Sequence, residues 1–110
     1  MIDWKRVSEL RSEIGESDFD EVVELFLEEV EGLLSRLKKD PQPDLYHEDL
    51  HFLKGCSANL GFGSLAAMCL SGETIAAGGA PENVALAPIF ECFERSKAQF
   101  FDGLEKGLAA

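Results

Sequence analysis

The sequence predicts an all-α protein, an antiparallel up-down four-helix bundle with a short additional N-terminal helix, in one domain over residues 1–110. Two observations carry that prediction. Apolar residues recur at i, i+3, i+4 and i+7 through most of the chain, and no segment alternates as a strand does. The stretches between the periodic segments are short and rich in Gly and Pro. Four substantial helices on short loops bury their apolar stripes most economically against antiparallel neighbours, with the short helix packed across them.

Taken in order, Asp3 is placed to cap a helix through Trp4, Val7, Leu10 and Ile14, closed by Gly15. From Phe19 the stripe runs Val22, Val23, Phe26, Val30, Leu33, Leu34 and Leu37, while Asp18, Glu21, Glu24, Glu28 and Glu31 lie mostly off it. Ser17, three residues before Asp20, reads as a capping start, and Lys38-Lys39 suits the negative end of the helix dipole. Asp40-Pro41-Gln42-Pro43 ends this helix. A third helix is expected from about Asp44 to Leu60, before Gly61-Phe62-Gly63, and Ser64 is expected to cap a fourth from Leu65 to about Ala77. Ile89, Phe90, Phe93, Phe100, Leu104 and Leu108 mark a last helix whose regular part should begin at Pro88. Residues 81–88 carry no clear pattern.

Composition narrows the function. Apolar residues make up 45% of the 110, enough for one core, and 21 acidic against 10 basic residues give a net charge of −11. Such a field repels phosphate backbones and anionic lipid, so neither nucleic acid nor membrane is an expected partner. It reads either as a charge that keeps a small protein soluble or, as the sharper alternative, as a preference for partners with basic faces. Cys56, Cys69 and Cys92 form no Cys-x-x-Cys pair and sit in the contexts of buried free thiols. Met1-Ile2-Asp3-Trp4-Lys5 is unlike a signal peptide, and no apolar run nears the roughly 18 residues that span a bilayer. A free-standing cytoplasmic monomer is the expectation.

The third helix carries the chemistry. At about 100° per residue, Tyr46, Leu53, Ser57 and Leu60 share one side, and His47, His51, Gly55 and Ala58 the other, flanked by Lys54. His51 therefore faces away from the core. Gly55 lies mid-helix, where glycine costs roughly 0.8–1 kcal/mol relative to alanine. Helical side chains lean toward the N-terminus, so a larger residue at 55 would lean over the His51 ring. A cation at Lys54 disfavours imidazolium and would attract a phosphoryl group placed on the ring.

The pattern His51-x-Leu53-Lys54-Gly55-Cys56-Ser57-x-x-Leu60-Gly61 resembles the signature of the histidine-containing phosphotransfer (HPt) family of multistep two-component signalling. The resemblance implies a four-helix bundle with an exposed histidine on a middle helix. His51 would carry the phosphoryl group on Nε2, Lys54 would stabilise it and Gly55 would give it room. Ser57 and Leu60 would be packing positions, and Cys56 stands where the family often has Ser or Ala. A polar residue on the next helix often orients the imidazole, and Glu73 is near that place; a solvated surface glutamate is the other reading of it. The chain would be a relay and not an enzyme, binding no cofactor of its own. Its partners would be receiver domains of response regulators or hybrid kinases, or a histidine kinase, with the receiver bringing the aspartate and Mg²⁺. Leu10, Ile14, Ala58, Phe62, Leu65 and Met68 are the candidate docking residues, although the apolar ones equally fit a bundle core.

Other readings remain open. A helical adaptor would bind partners without phosphotransfer, but has no need of a mid-helix glycine beside a histidine. His47 and His51 at i, i+4 could ligate a metal, with Glu48 and Cys56 nearby but no third ligand in view. Hydrolase chemistry lacks a nucleophile, since Ser57 lies opposite His51 and Cys56 well round toward it.

Overall fold

A computed structural model describes residues 1–109; Ala110, the last residue of the expected domain, lies outside them. The elements are α1 (Trp4–Ile14), α2 (Glu16–Lys39), α3 (Tyr46–Leu60), α4 (Gly63–Ala77) and α5 (Leu86–Glu105), with 3-10 turns at Pro43–Leu45 and Pro81–Asn83. The described residues contain no strand, only an isolated bridge between Ile2 and Phe62. The bundle of α2 to α5 with the short α1 against α2 and α3 matches the architecture expected from periodicity.

Local chemistry explains most helix ends. Asp3 caps α1, its Oδ1 accepting from Arg6 N–H at 3.2 Å. One residue, Gly15, then turns the chain into α2, its carbonyl accepting from Asp18 and Phe19. The expected Ser17 cap is thus corrected: α2 starts at Glu16 without a side-chain cap, and Ser17 lies inside it. The start of α4 is corrected likewise. Phe62 is its N-cap residue, and Ser64 sits within the first turn. Pro43–Leu45 forms a 3-10 turn, so α3 begins at Tyr46 rather than Asp44. Pro88 lies in the first turn of α5, which starts at Leu86; a first-turn N–H has no partner within the helix, so proline is tolerated there.

The core forms where the stripes meet. Val23, Leu27, Val30, Leu34 and Leu37 of α2 close on Leu50, Leu53 and Leu60 of α3, Leu65 and Cys69 of α4, and Ile89, Phe93 and Phe100 of α5. Trp4 stacks parallel on Phe100 at 6.0 Å, and Phe62 meets Phe100 edge-on at 5.4 Å. Gly61 joins α3 to α4 in the left-handed region at φ 84°, and Asp3 N–H donates to its carbonyl at 2.7 Å. The N-terminal segment thereby pins the α3–α4 turn, and those two helices make the most extensive pairing in the bundle. No helix among the described residues is long and apolar enough to cross a membrane.

Candidate functional site

The site is assembled by α3 and α4. Leu50, Leu53, Ser57 and Leu60 are buried, which fixes the rotation of α3 and turns His51 outward. Its side chain is 67% exposed. Behind it, Arg36 of α2 donates to Asp49, tying the far side of α3 to its neighbour. The two-residue turn at Gly61 and Phe62 brings α4 back antiparallel, so Glu73 arrives beside His51 although 22 positions separate them.

Glu73 is the hub. Its Oε1 lies 2.8 Å from His51 Nδ1, and its Oε2 lies 2.8 Å from Lys54 Nζ. His47 Nε2 is 3.8 Å from the same Oε1. Lys54 first, then His51, hold the Glu73 carboxyl below the usual carboxylate range, against the opposing effect of partial burial. At neutral pH it is therefore an ionised acceptor with no proton to give. The nitrogen facing it must donate, so in the neutral imidazole the proton sits on Nδ1 and the lone pair on Nε2. The Glu73 side chain is 12% exposed, less than a freely solvated surface glutamate would be. The Lys54 ammonium pairs with the carboxylate, within reach of the edge where His51 stands.

Gly55 completes the site by what it lacks. A Cβ built there would meet no atom within 4 Å, so neither crowding nor backbone strain requires glycine. The open space lies over the turn that carries His51.

A family model described as Hpt domain matches residues 21–108, from within α2 through α5 and including His47, His51, Lys54, Gly55 and Glu73. The chain belongs to the Hpt domain family. Hpt domains are histidine-phosphotransfer carriers of two-component phosphorelays, and not kinases. No curated protein and no solved structure matches the chain significantly.

The expected docking surface of this Hpt domain needs correction. Leu10, Phe62 and Leu65 are each at most 5% exposed and belong to the core, so they cannot contact a partner. Ile14 and Met68 are partly buried against that core, and Ala58 is exposed beside the histidine face. An exposed apolar surface lies instead between α2 and α3. There Val22, Leu25, Phe26, Phe52 and Cys56 line a groove of about 340 Å³ with Glu29 among them. Leu25 is 56% and Phe52 44% exposed. Leu25 lies off the apolar stripe of α2 and Phe52 directly follows His51, which is the sequence signal that marks them. Cys56 is only half-buried, unlike Cys69 and Cys92 and contrary to expectation. Among the described residues, no three His, Cys, Asp or Glu side chains form a metal-binding group.

Proposed function

We propose that this chain is a cytoplasmic relay that accepts a phosphoryl group on His51 Nε2 from a receiver-domain aspartyl phosphate or a histidine kinase, and returns it to a receiver aspartate. The observation that carries the reading is the 2.8 Å contact between His51 Nδ1 and Glu73 Oε1, which leaves the unhindered Nε2 as the nucleophile.

In the forward step the Nε2 lone pair attacks phosphorus, the new N–P bond forms, and the P–O bond to the donor aspartate breaks with its carboxylate leaving. The ring becomes positively charged while the Nδ1 proton stays on its hydrogen bond, and Glu73 offsets that charge. Onward transfer reverses the step, and the cationic ring is the leaving group. Lys54, 2.8 Å from Glu73 Oε2 in the free state, gains the phosphoryl oxygens as a second partner. Gly55 leaves the approach to Nε2 open for in-line attack. This reading assigns Mg²⁺ and the acceptor aspartate to the receiver, which docks on the groove of Leu25, Phe52 and Cys56 beside His51.

The test is transfer from phosphorylated receiver domains to the native chain and to His51→Gln. Acid-labile, alkali-stable phosphate on the native chain alone supports the reading. Failure of the native chain with a panel of receivers and kinases would leave the adaptor reading.

A further inference from the structure

We infer that Glu73 also selects between two neighbouring histidines, opening His51 to phosphorylation and closing His47. The inference rests on the phosphotransfer reading of His51. Exposure alone does not choose between the two: their side chains are 67% and 53% exposed, one helical turn apart on the same face.

What differs is the nitrogen each ring turns toward the carboxylate. His51 faces Glu73 Oε1 through Nδ1 at 2.8 Å, and His47 faces the same oxygen through Nε2 at 3.8 Å. A neutral imidazole has one N–H and one lone pair, and an ionised carboxylate only accepts. The proton of each ring is therefore drawn to the nitrogen nearer Glu73. For His51 this frees Nε2, which is flanked by two ring C–H groups and points outward. For His47 it occupies Nε2 and leaves the lone pair on Nδ1, which is crowded by its own Cβ and backbone.

A second, independent feature works in the same direction. The residue four positions beyond His51 is Gly55, with open space around it. The residue four positions beyond His47 is His51, which carries a full ring on the same face where Gly55 carries none. Carboxylate and clearance together make one histidine of the pair a nucleophile.

Phosphoramidate tests this without any partner protein. Its P–N bond breaks, ammonia leaves, and a bond from phosphorus to the imidazole nitrogen forms. Native chain, His51→Gln, and His51→Gln combined with Glu73→Ala are treated in parallel, and phosphate is mapped by mass spectrometry at alkaline pH. The native chain should be labelled on His51 alone and His51→Gln should be nearly blank. The double variant should label His47 about threefold or more above His51→Gln, because a 3.8 Å contact acts through charge rather than a hydrogen bond. Circular dichroism establishes that both variants are folded. Equal labelling of His47 in the single and double variants would overturn the inference while leaving phosphotransfer at His51 intact. A native chain unlabelled on His51 would instead sink the reading on which it rests.

Discussion

Replacing Gly55 separates stability from function more cleanly than any other change in this molecule. In the middle of α3 glycine costs about 0.8–1 kcal/mol relative to alanine, through backbone entropy and lost helix propensity. A Cβ at this position meets nothing within 4 Å and the backbone is ordinary helix, so no clash offsets the gain. Gly55→Ala should therefore raise stability by about 0.8–1 kcal/mol, a rise in Tm of roughly 3–4 °C for a domain of this size. Gly32 in α2, with equally open surroundings, should show the same increment. Transfer should respond in the opposite direction. A side chain at 55 leans over His51, and displacing the incoming phosphorus by 1 Å costs on the order of 10²-fold in rate. Gly55→Leu should thus lose about 10²-fold or more in transfer from a receiver, with Gly55→Ala losing far less. Thermal melts followed by circular dichroism and time courses of transfer from a phosphorylated receiver measure the two effects. A less stable Gly55→Ala, or a Gly55→Leu that transfers at the native rate, would refute the steric argument.

Three other outcomes are expected. Because Lys54 and His51 lower the Glu73 carboxyl below its ordinary value of 4.5, its contribution to stability is complete above about pH 4.5 and lost as pH falls through the lowered value. Melts of Glu73→Ala should show a deficit at pH 7 that closes across that acid range; a deficit that persists at the lowest pH would contradict it. Gly103→Ala would drive a methyl into Trp4 Cζ2, in the ring that stacks on Phe100, and should cost about 1–3 kcal/mol in denaturant unfolding. Leu25→Asp should leave phosphorylation by phosphoramidate unchanged but weaken transfer from receivers at least about tenfold, since it puts a charge in an exposed apolar groove without touching His51.

Much of this architecture is legible in the residues themselves because the helices are amphipathic and their ends carry local chemistry. The stripe from Phe19 to Leu37 gives α2, and Asp3 and Gly15 bound α1 closely. The opposition of Leu53 and Ser57 to His51 and Gly55 gives the outward histidine before any tertiary contact is known. Periodicity tells which residues share a face, but it does not tell which faces a neighbour covers. Pattern alone therefore leaves Leu10, Phe62 and Leu65 open to a docking role, and their burial in the core closes it. Phe62 is the sharpest case. It sits in a tight turn, where exposure is usual, yet it is buried against Phe93 and Phe100 because the bridge to Ile2 folds the N-terminus across it. Glu73 lacked any local signal, since its role depends on the sharp reversal at Gly61; only the resemblance pointed to it. The contact of His47 with Glu73 depends on the rotation of α4 against α3, which no single-helix pattern encodes.

The most direct test of the account is the protonation of His51 itself, read from long-range proton–nitrogen correlations of nitrogen-15-labelled chain at neutral pH before and after phosphorylation. The account predicts a hydrogen on Nδ1 and a bare Nε2 in the free protein, then phosphorus coupling on Nε2 with the Nδ1 hydrogen retained. A hydrogen on Nε2 in the free protein, or phosphate on any other atom, would contradict it.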